Sequence, residues 1–271
     1  MHFLTNLRRH AAARPLLLIL ALLVVGLSYS AVSPQSSSAE TEMTQQIEEG
    51  KALFDFTCSS CHGLGGEGTS QGPSLIGVGA ASVDFQMGTG RMPAARQEAQ
   101  LPARKVNYSQ EQIEAVAAYV ATLGPGPGIP AQSQYSLNSS LEGDEKAEAI
   151  ARGGALFRAN CSACHGIVGG GGAMPNGKYA PSIVDTSDVH LYEAIRTGPQ
   201  QMPMFSKEVM PDESVAEIIA YVNAADEQAN YGGLTMGDAG PVSEGFWAFI
   251  IGIGGFSLIA TWIAKKGARA R

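Results

Sequence analysis

Four cysteines and two histidines carry the chemistry legible in this chain. Cys58-Ser59-Ser60-Cys61-His62 and Cys161-Ser162-Ala163-Cys164-His165 are two copies of Cys-x-x-Cys-His, and no cysteine lies outside them. Two thiols one helical turn apart can add to the two vinyl groups of one porphyrin, and the histidine that follows can give its iron an axial nitrogen. Cys58, Cys61, Cys161 and Cys164 are therefore the expected covalent anchors of two c-type haems, and His62 and His165 the expected iron ligands. Other uses of the pairs fit less well. A thioredoxin-like dithiol sits in a βαβ context, which is not visible here. Ribbon-type zinc sites space their pairs by about 15–20 residues, whereas these stand 103 residues apart. A disulfide within each pair requires that no haem be loaded.

Each motif sits inside a longer pattern that occurs twice. Gly50, Ala52, Leu53 and Phe54 precede Cys58 as Gly153, Ala155, Leu156 and Phe157 precede Cys161. Gly72-Pro73-Ser74-Leu75 is answered by Ala180-Pro181-Ser182-Ile183, and Thr89-Gly90-Arg91-Met92-Pro93 by Thr197-Gly198 and Met202-Pro203. Ile113, Val116, Ala117, Tyr119 and Val120 return as Val215, Ile218, Ile219, Tyr221 and Val222. The pattern describes a duplicated domain of roughly 85 residues rather than a solenoid.

Histidine supply constrains the second axial ligand. Of the five histidines, His2 and His10 lie in the N-terminal flank, His62 and His165 belong to the motifs, and His190 alone is left. The first haem has no second histidine in its own domain and takes a methionine, whose thioether raises the potential. Met92 and Met202 occupy matching positions, each before a proline that can hold an extended loop over a haem face. Met87 and Met204 are the alternatives. His190, at a helix start, is expected to be exposed. Two six-coordinate irons leave no open position for substrate, which favours electron transfer over oxygen or peroxide chemistry. No Ser/His/Asp or paired-carboxylate constellation accompanies them.

The elements that hold these residues read as helices. Tyr108 to Leu123 is predicted helical, with Ser109 and Gln112 as a capping box and Ile113, Val116, Ala117 and Val120 on one face. Asp188 and Asp212 are expected to cap helices carrying Leu191, Ala194 and Ile195, and Val215, Ile218, Ile219 and Val222. Gly169 to Gly172 read as a flexible loop. Strand alternation of useful length is missing, so the soluble part is expected to be all-α: two tandem domains at 43–124 and 144–232, joined by a Pro/Gly/Ser linker at 125–143.

Charge and hydropathy place the ends. Net charge is −7; the 25 acidic residues all lie between Glu40 and Glu244 against 11 basic ones, a net of −14 there. An acidic middle excludes a nucleic-acid binder, which needs a basic face; it suits docking to a basic partner and equally an ordinary solvated surface. Arg8, Arg9 and Arg14 precede an uncharged run from Pro15 to Val32, long enough at about 27 Å to approach a bilayer core. Residues 1–33 thus read as a basic cytoplasmic end and signal-anchor helix, with cleavage near Ser28-Tyr29-Ser30-Ala31 as the competing reading. Phe246 to Ala264 is also uncharged, with the chain's two tryptophans, Trp247 and Trp262, at its ends and Gly252, Gly254 and Gly255 inside. It is expected to span a membrane over 245–264, with a basic cytoplasmic tail at 265–271. Glycines there allow close approach of a neighbouring helix. Positive charge at both ends puts the haem domains on the extracytoplasmic side of the plasma membrane.

The two Cys-x-x-Cys-His motifs, Gly63 and Gly166 after them, the Pro73 and Pro181 turns, and Met202-Pro203-Met204-Phe205 resemble class I cytochrome c. Two such domains between an N-terminal hydrophobic run and a C-terminal membrane helix resemble the dihaem cytochrome cc subunit of the actinobacterial cytochrome bcc complex. That resemblance covers nearly the whole chain. It implies the electron-transfer subunit of a quinol–cytochrome c reductase (a translocase) without a substrate site of its own. Its partners would be a cytochrome b subunit, a Rieske iron–sulfur subunit and a haem-copper cytochrome c oxidase. Two alternatives stay open: a free-standing membrane-tethered dihaem carrier, and the cytochrome subunit of a periplasmic dehydrogenase.

Overall fold

In the computed structural model, residues 13–32, 36–98, 100–227 and 241–269 are described. The expectations for Arg8, Arg9, His2, His10, Arg271 and residues 228–232 lie outside them. The chain divides into two units, 1–48 and 49–271. The first holds α1, Ala13–Val32, and the leading part of α2, Ser36–Thr57. From Pro15 to Ser30 the side chains of α1 are exposed.

The second unit holds the duplicated pattern. Its first copy comprises the end of α2, the one-turn α3 (Ser59–His62), α4 (Ala80–Gly88) and α5 (Gln110–Ala121). Its second comprises α7 (Gly143–Asn160), the one-turn α8 (Ser162–His165), α9 (Asp188–Thr197) and α10 (Asp212–Asp226). Between them, in 125–143, α6 (Gln132–Tyr135) packs against α9 and α10. The repeated glycines explain themselves here. A β-carbon on Gly50 would lie 1.9 Å from the Ala115 carbonyl oxygen of α5, and one on Gly153 would lie 1.9 Å from the Glu217 carbonyl oxygen of α10. In each copy the helix leading into the motif crosses the last helix backbone to backbone, so no larger residue fits. The ring contacts beside the crossings match as well: Phe54 to Tyr119 at 5.1 Å, and Phe157 to Tyr221 at 5.4 Å.

The α5 capping box forms as expected: the Gln112 amide donates to Ser109 Oγ, and the Ser109 amide to Gln112 Oε1. Asp188 and Asp212 do not cap. Each is the first helical residue, after Ser187 and Pro211, where a carboxylate still complements the helix N-terminus. Asp188 Oδ1 accepts from Asn223, and Asp212 is held by four side chains described below. Among the described residues the all-α expectation holds but for one short hairpin, β1 (Gly172–Ala173) with β2 (Tyr179–Ala180), in register Gly172 to Ala180. Two-residue strands are too short to show alternation in a sequence, and β1 starts inside the segment read as flexible. The final helix, α11 (Pro241–Arg269), has an apolar stretch Gly245–Gly267 with mean hydropathy 1.9, long and apolar enough to cross a membrane.

Candidate haem sites

The two motifs adopt the same conformation. The His62 amide donates to the Cys58 carbonyl and the His165 amide to the Cys161 carbonyl, both at 2.9 Å, closing one helical turn. Gly63 (φ 83°) and Gly166 (φ 76°) then end each turn in a backbone conformation that favours glycine. The histidine carbonyls receive the Gly68 and Gly171 amides at 2.7 and 2.8 Å. The four cysteines are unbridged. Burial pushes the Cys58 and Cys161 thiols up to about 11, with their partner cysteines adding to the effect.

Both histidines are oriented through Nδ1. It bonds the Pro73 carbonyl oxygen at 2.7 Å from His62 and the Pro181 carbonyl oxygen at 3.0 Å from His165. A carbonyl accepts only from a protonated nitrogen, so this contact fixes the tautomer and leaves Nε2 as the free donor atom for iron. Burial lowers the His165 pKa, opposed by the Pro181 contact, so burial favours the neutral ring.

Around the second motif is a cavity of about 820 Å³ lined by Cys161, Cys164, His165, Met202, Phe205 and Ile219 among others. Its size lies within the roughly 300–1,000 Å³ of small-molecule and cofactor sites. The motif cysteines and histidine share this apolar space with a candidate thioether, Met202, so the residues present fit a thioether-linked haem. Met204 is 65% exposed. Met174 also lines the cavity; sequence reasoning missed it because it falls in the segment around the hairpin, which has no counterpart in the first copy.

The Met202 segment is held by buried Arg196. Its Nη1 donates to the carbonyl oxygens of Phe205 (3.0 Å) and Met210 (2.7 Å), and its Nη2 to Asp212 Oδ1 (2.6 Å). Gly198 (φ 58°) starts the segment, where a β-carbon would lie 2.7 Å from the Met204 nitrogen. Asp212 also accepts from Tyr192, Lys207 and Gln134. Desolvation pushes its carboxyl up, but the donors outweigh this and hold it well below the usual carboxylate range.

In the first copy Met92 is half-buried and Met87 is 5% exposed within α4. The Met92 amide donates to the Gln86 carbonyl, and the Arg104 amide to Thr89. The segment that follows Met92 crosses to the second copy. Gln100, Leu101, Pro102, Arg104 and Val106 line the second cavity, as do Arg91 and Phe85. Gln100 exchanges hydrogen bonds with the Tyr179 backbone, and Gln200 does the same with Leu101 at 3.0 Å each way. His190 is not exposed as expected. It lines the second cavity, and its side chain, 19% exposed, faces Asp84 of α4. Its covering comes from the other domain, which its own local sequence does not encode.

The cytochrome c family model matches residues 47–124, and that of cytochrome C oxidase, cbb3-type, subunit III matches residues 148–222. Over 264 residues the chain is 42% identical to the cytochrome bc1 complex cytochrome c subunit of Mycobacterium tuberculosis, covering 96% of this chain and 93% of that one. The protein of the same name from Corynebacterium diphtheriae is 39% identical over 267 residues, 95% of each chain. A 1-butanol dehydrogenase (cytochrome c) of Thauera butanivorans is 34% identical over 110 residues, 38% of this chain and 15% of that protein. The chain carries two covalently bound haem c groups on two tandem cytochrome c domains, and it belongs to the family of cytochrome bc1 complex cytochrome c subunits.

Proposed function

We propose that this chain is the electron-transfer subunit of a quinol–cytochrome c reductase, a translocase, and relays electrons from a Rieske iron–sulfur protein to a haem-copper oxidase. A cytochrome b subunit is its further partner. Bound haem c supplies one-electron exchange at iron; the residues of the chain attach, orient and shield it. Cys58 and Cys61 anchor one haem and Cys161 and Cys164 the other. His62 and His165, oriented by the Pro73 and Pro181 carbonyls, would hold iron through Nε2. Met92 and Met202 would supply the second ligands. The Met-Pro step that Met92 shares with Met202 supports it over Met87; counted from the shared Thr-Gly, Met87 matches Ile195, a core residue 7% exposed, and both lie in helices.

The observation that carries the relay is the second cavity, whose wall is completed by first-domain residues, among them Phe85, Arg91, Gln100, Leu101, Arg104 and Val106. Residues flanking Met87 and Met92 thereby reach the second site, which supports transfer between the two haems. The Gln100 and Gln200 clasps tie the two domains together at its edge. The duplicated pattern supports domain limits of 43–124 and 144–232. The basic ends and the two apolar helices support a chain that crosses the plasma membrane twice, with the haem domains extracytoplasmic. Gly252 and Gly255 of α11 suit docking against another membrane helix.

The test is purification from membranes through a tag on this chain. Cytochrome b, the Rieske protein and the oxidase should co-elute, and quinol-driven oxygen uptake should be lost when Cys161 and Cys164 are replaced by serine. A dihaem chain that elutes alone, in membranes whose quinol oxidation persists without it, would identify a free-standing carrier instead.

A further inference from the structure

Where α4 of the first domain meets α9 of the second, three ligand-type side chains converge. One ligand atom from each of Asp84, His190 and Glu193 lies within 4.8 Å of the others. His190 Nε2 is 3.6 Å from Asp84 Oδ2. Asp84 is 3% exposed and Glu193 fully buried. The other Asp84 oxygen accepts from Gln110 at 3.3 Å. Neither Glu193 oxygen meets a hydrogen-bond donor; the group facing it is Asp84, a second carboxylate. Burial pushes the Glu193 carboxyl up to about 9, with Asp84 adding to the effect.

Two buried carboxylates face to face need a counter-charge. One proton shared between them would satisfy a single Glu193 oxygen and leave the other without a partner. A divalent cation satisfies all three groups: its charge equals that of two carboxylates, and a neutral imidazole adds a third bond without changing the sum. We propose that Asp84, His190 and Glu193 form a divalent-cation site that ties the two haem domains together. The mixture of one imidazole nitrogen and two carboxylate oxygens suits zinc or a neighbouring first-row metal rather than magnesium or calcium. Ligand atoms held at zinc distances of about 2.0–2.2 Å stand about 3.3–3.6 Å apart in a tetrahedron. The His190–Asp84 pair already has that spacing, and the Glu193 oxygen stands within 4.8 Å of both. Gly88 keeps the approach open, since a β-carbon there would lie 2.7 Å from His190 Nε2. Because His190 also lines the second cavity, the cation would stand beside the second haem.

The experiment uses the full haem-loaded chain in its detergent-purified complex, stripped with chelator and titrated with Zn²⁺. The parent should bind one zinc per chain more than Asp84→Asn, His190→Asn or Glu193→Gln. Zinc should raise the melting temperature of the haem domains only in the parent. Affinity at this site should fall by more than the roughly 10–100-fold caused by removing an outer-shell partner. Intact spectra of both haems in the Glu193→Gln variant show that it folds, and zinc binding by Asp84→Asn provides a second reading. Equal zinc binding by parent and all variants would overturn the proposal. So would a protonated-carboxyl infrared band, lost in Glu193→Gln, that persists in the zinc-saturated parent, because a proton alone would then satisfy the pair.

Discussion

The two haem domains are nearly one design, and they differ in two segments that meet each other. In the first domain the chain runs from Gly68 straight to Gly72 and the Pro73 turn; in the second, Gly171 and Ala180 are separated by the β1–β2 hairpin. After the methionines the inequality reverses. The first domain spends residues 93–109 before α5, while the second reaches α10 after 203–211. The long segment of one copy and the hairpin of the other join through Gln100 and the Tyr179 backbone beside the second cavity. Duplication thus supplied two copies of the site, and the unequal segments turned two copies into a pair. The anchoring of the methionine segment differs as well. Arg196 pins it in the second domain; counted from the shared Thr-Gly, the first domain has Gly88 there, which makes room for His190 instead.

The largest expected effects test what the copies share. Gly50→Ala and Gly153→Ala should each force one helix crossing apart, at a cost of about 3 kcal/mol or more from overpacking. Haem staining of the purified chain should show one haem lost in each variant, and loss of both from either would mean that the domains fold as one. Next is Arg196→Met, which removes three charge-assisted bonds and should cost about 2–3 kcal/mol. Optical spectra should show thioether ligation lost at one haem only. If both haems change, the pinning is not confined to the second domain.

Acid should separate the domains by a smaller margin. Asp212 is held below its unfolded value of about 3.9, so its contribution to stability is present above that pH and is lost as pH falls toward its folded value. The second haem's spectrum should therefore give way during an acid titration below about pH 4, and Asp212→Asn should remove that step. Smallest is Gln100→Ala, which deletes two hydrogen bonds between the copies, worth about 1 kcal/mol each. Faster hydrogen exchange at the Tyr179 amide, with both haems retained, would report it; an unchanged rate would mean that the clasp does not hold the hairpin.

What was legible in the sequence was whatever local chemistry or repetition encodes. The Cys-x-x-Cys-His motifs, the Gly-x-Ala-Leu-Phe leader and the Ser109–Gln112 box need only neighbouring residues or a second copy to be recognised. Three things were not legible. The hairpin has two-residue strands, below the length at which alternation shows. Asp188 and Asp212 look like caps because Asp suits both the cap and the first helical turn. The Arg196 pin, the Gln100 clasp and the Asp84–His190–Glu193 cluster join residues that only the packed chain brings together; His190 reads as exposed because its cover lies over a hundred residues upstream.

Each domain is expected to hold its own haem through its own cysteine pair. Mass measurement of the denatured full chain tests it most directly, using the parent, a Cys58→Ser/Cys61→Ser variant and a Cys161→Ser/Cys164→Ser variant made in cells with intact haem maturation. The parent should carry two haem additions and each variant one. A parent with a single addition, or a variant that keeps two, would contradict the account.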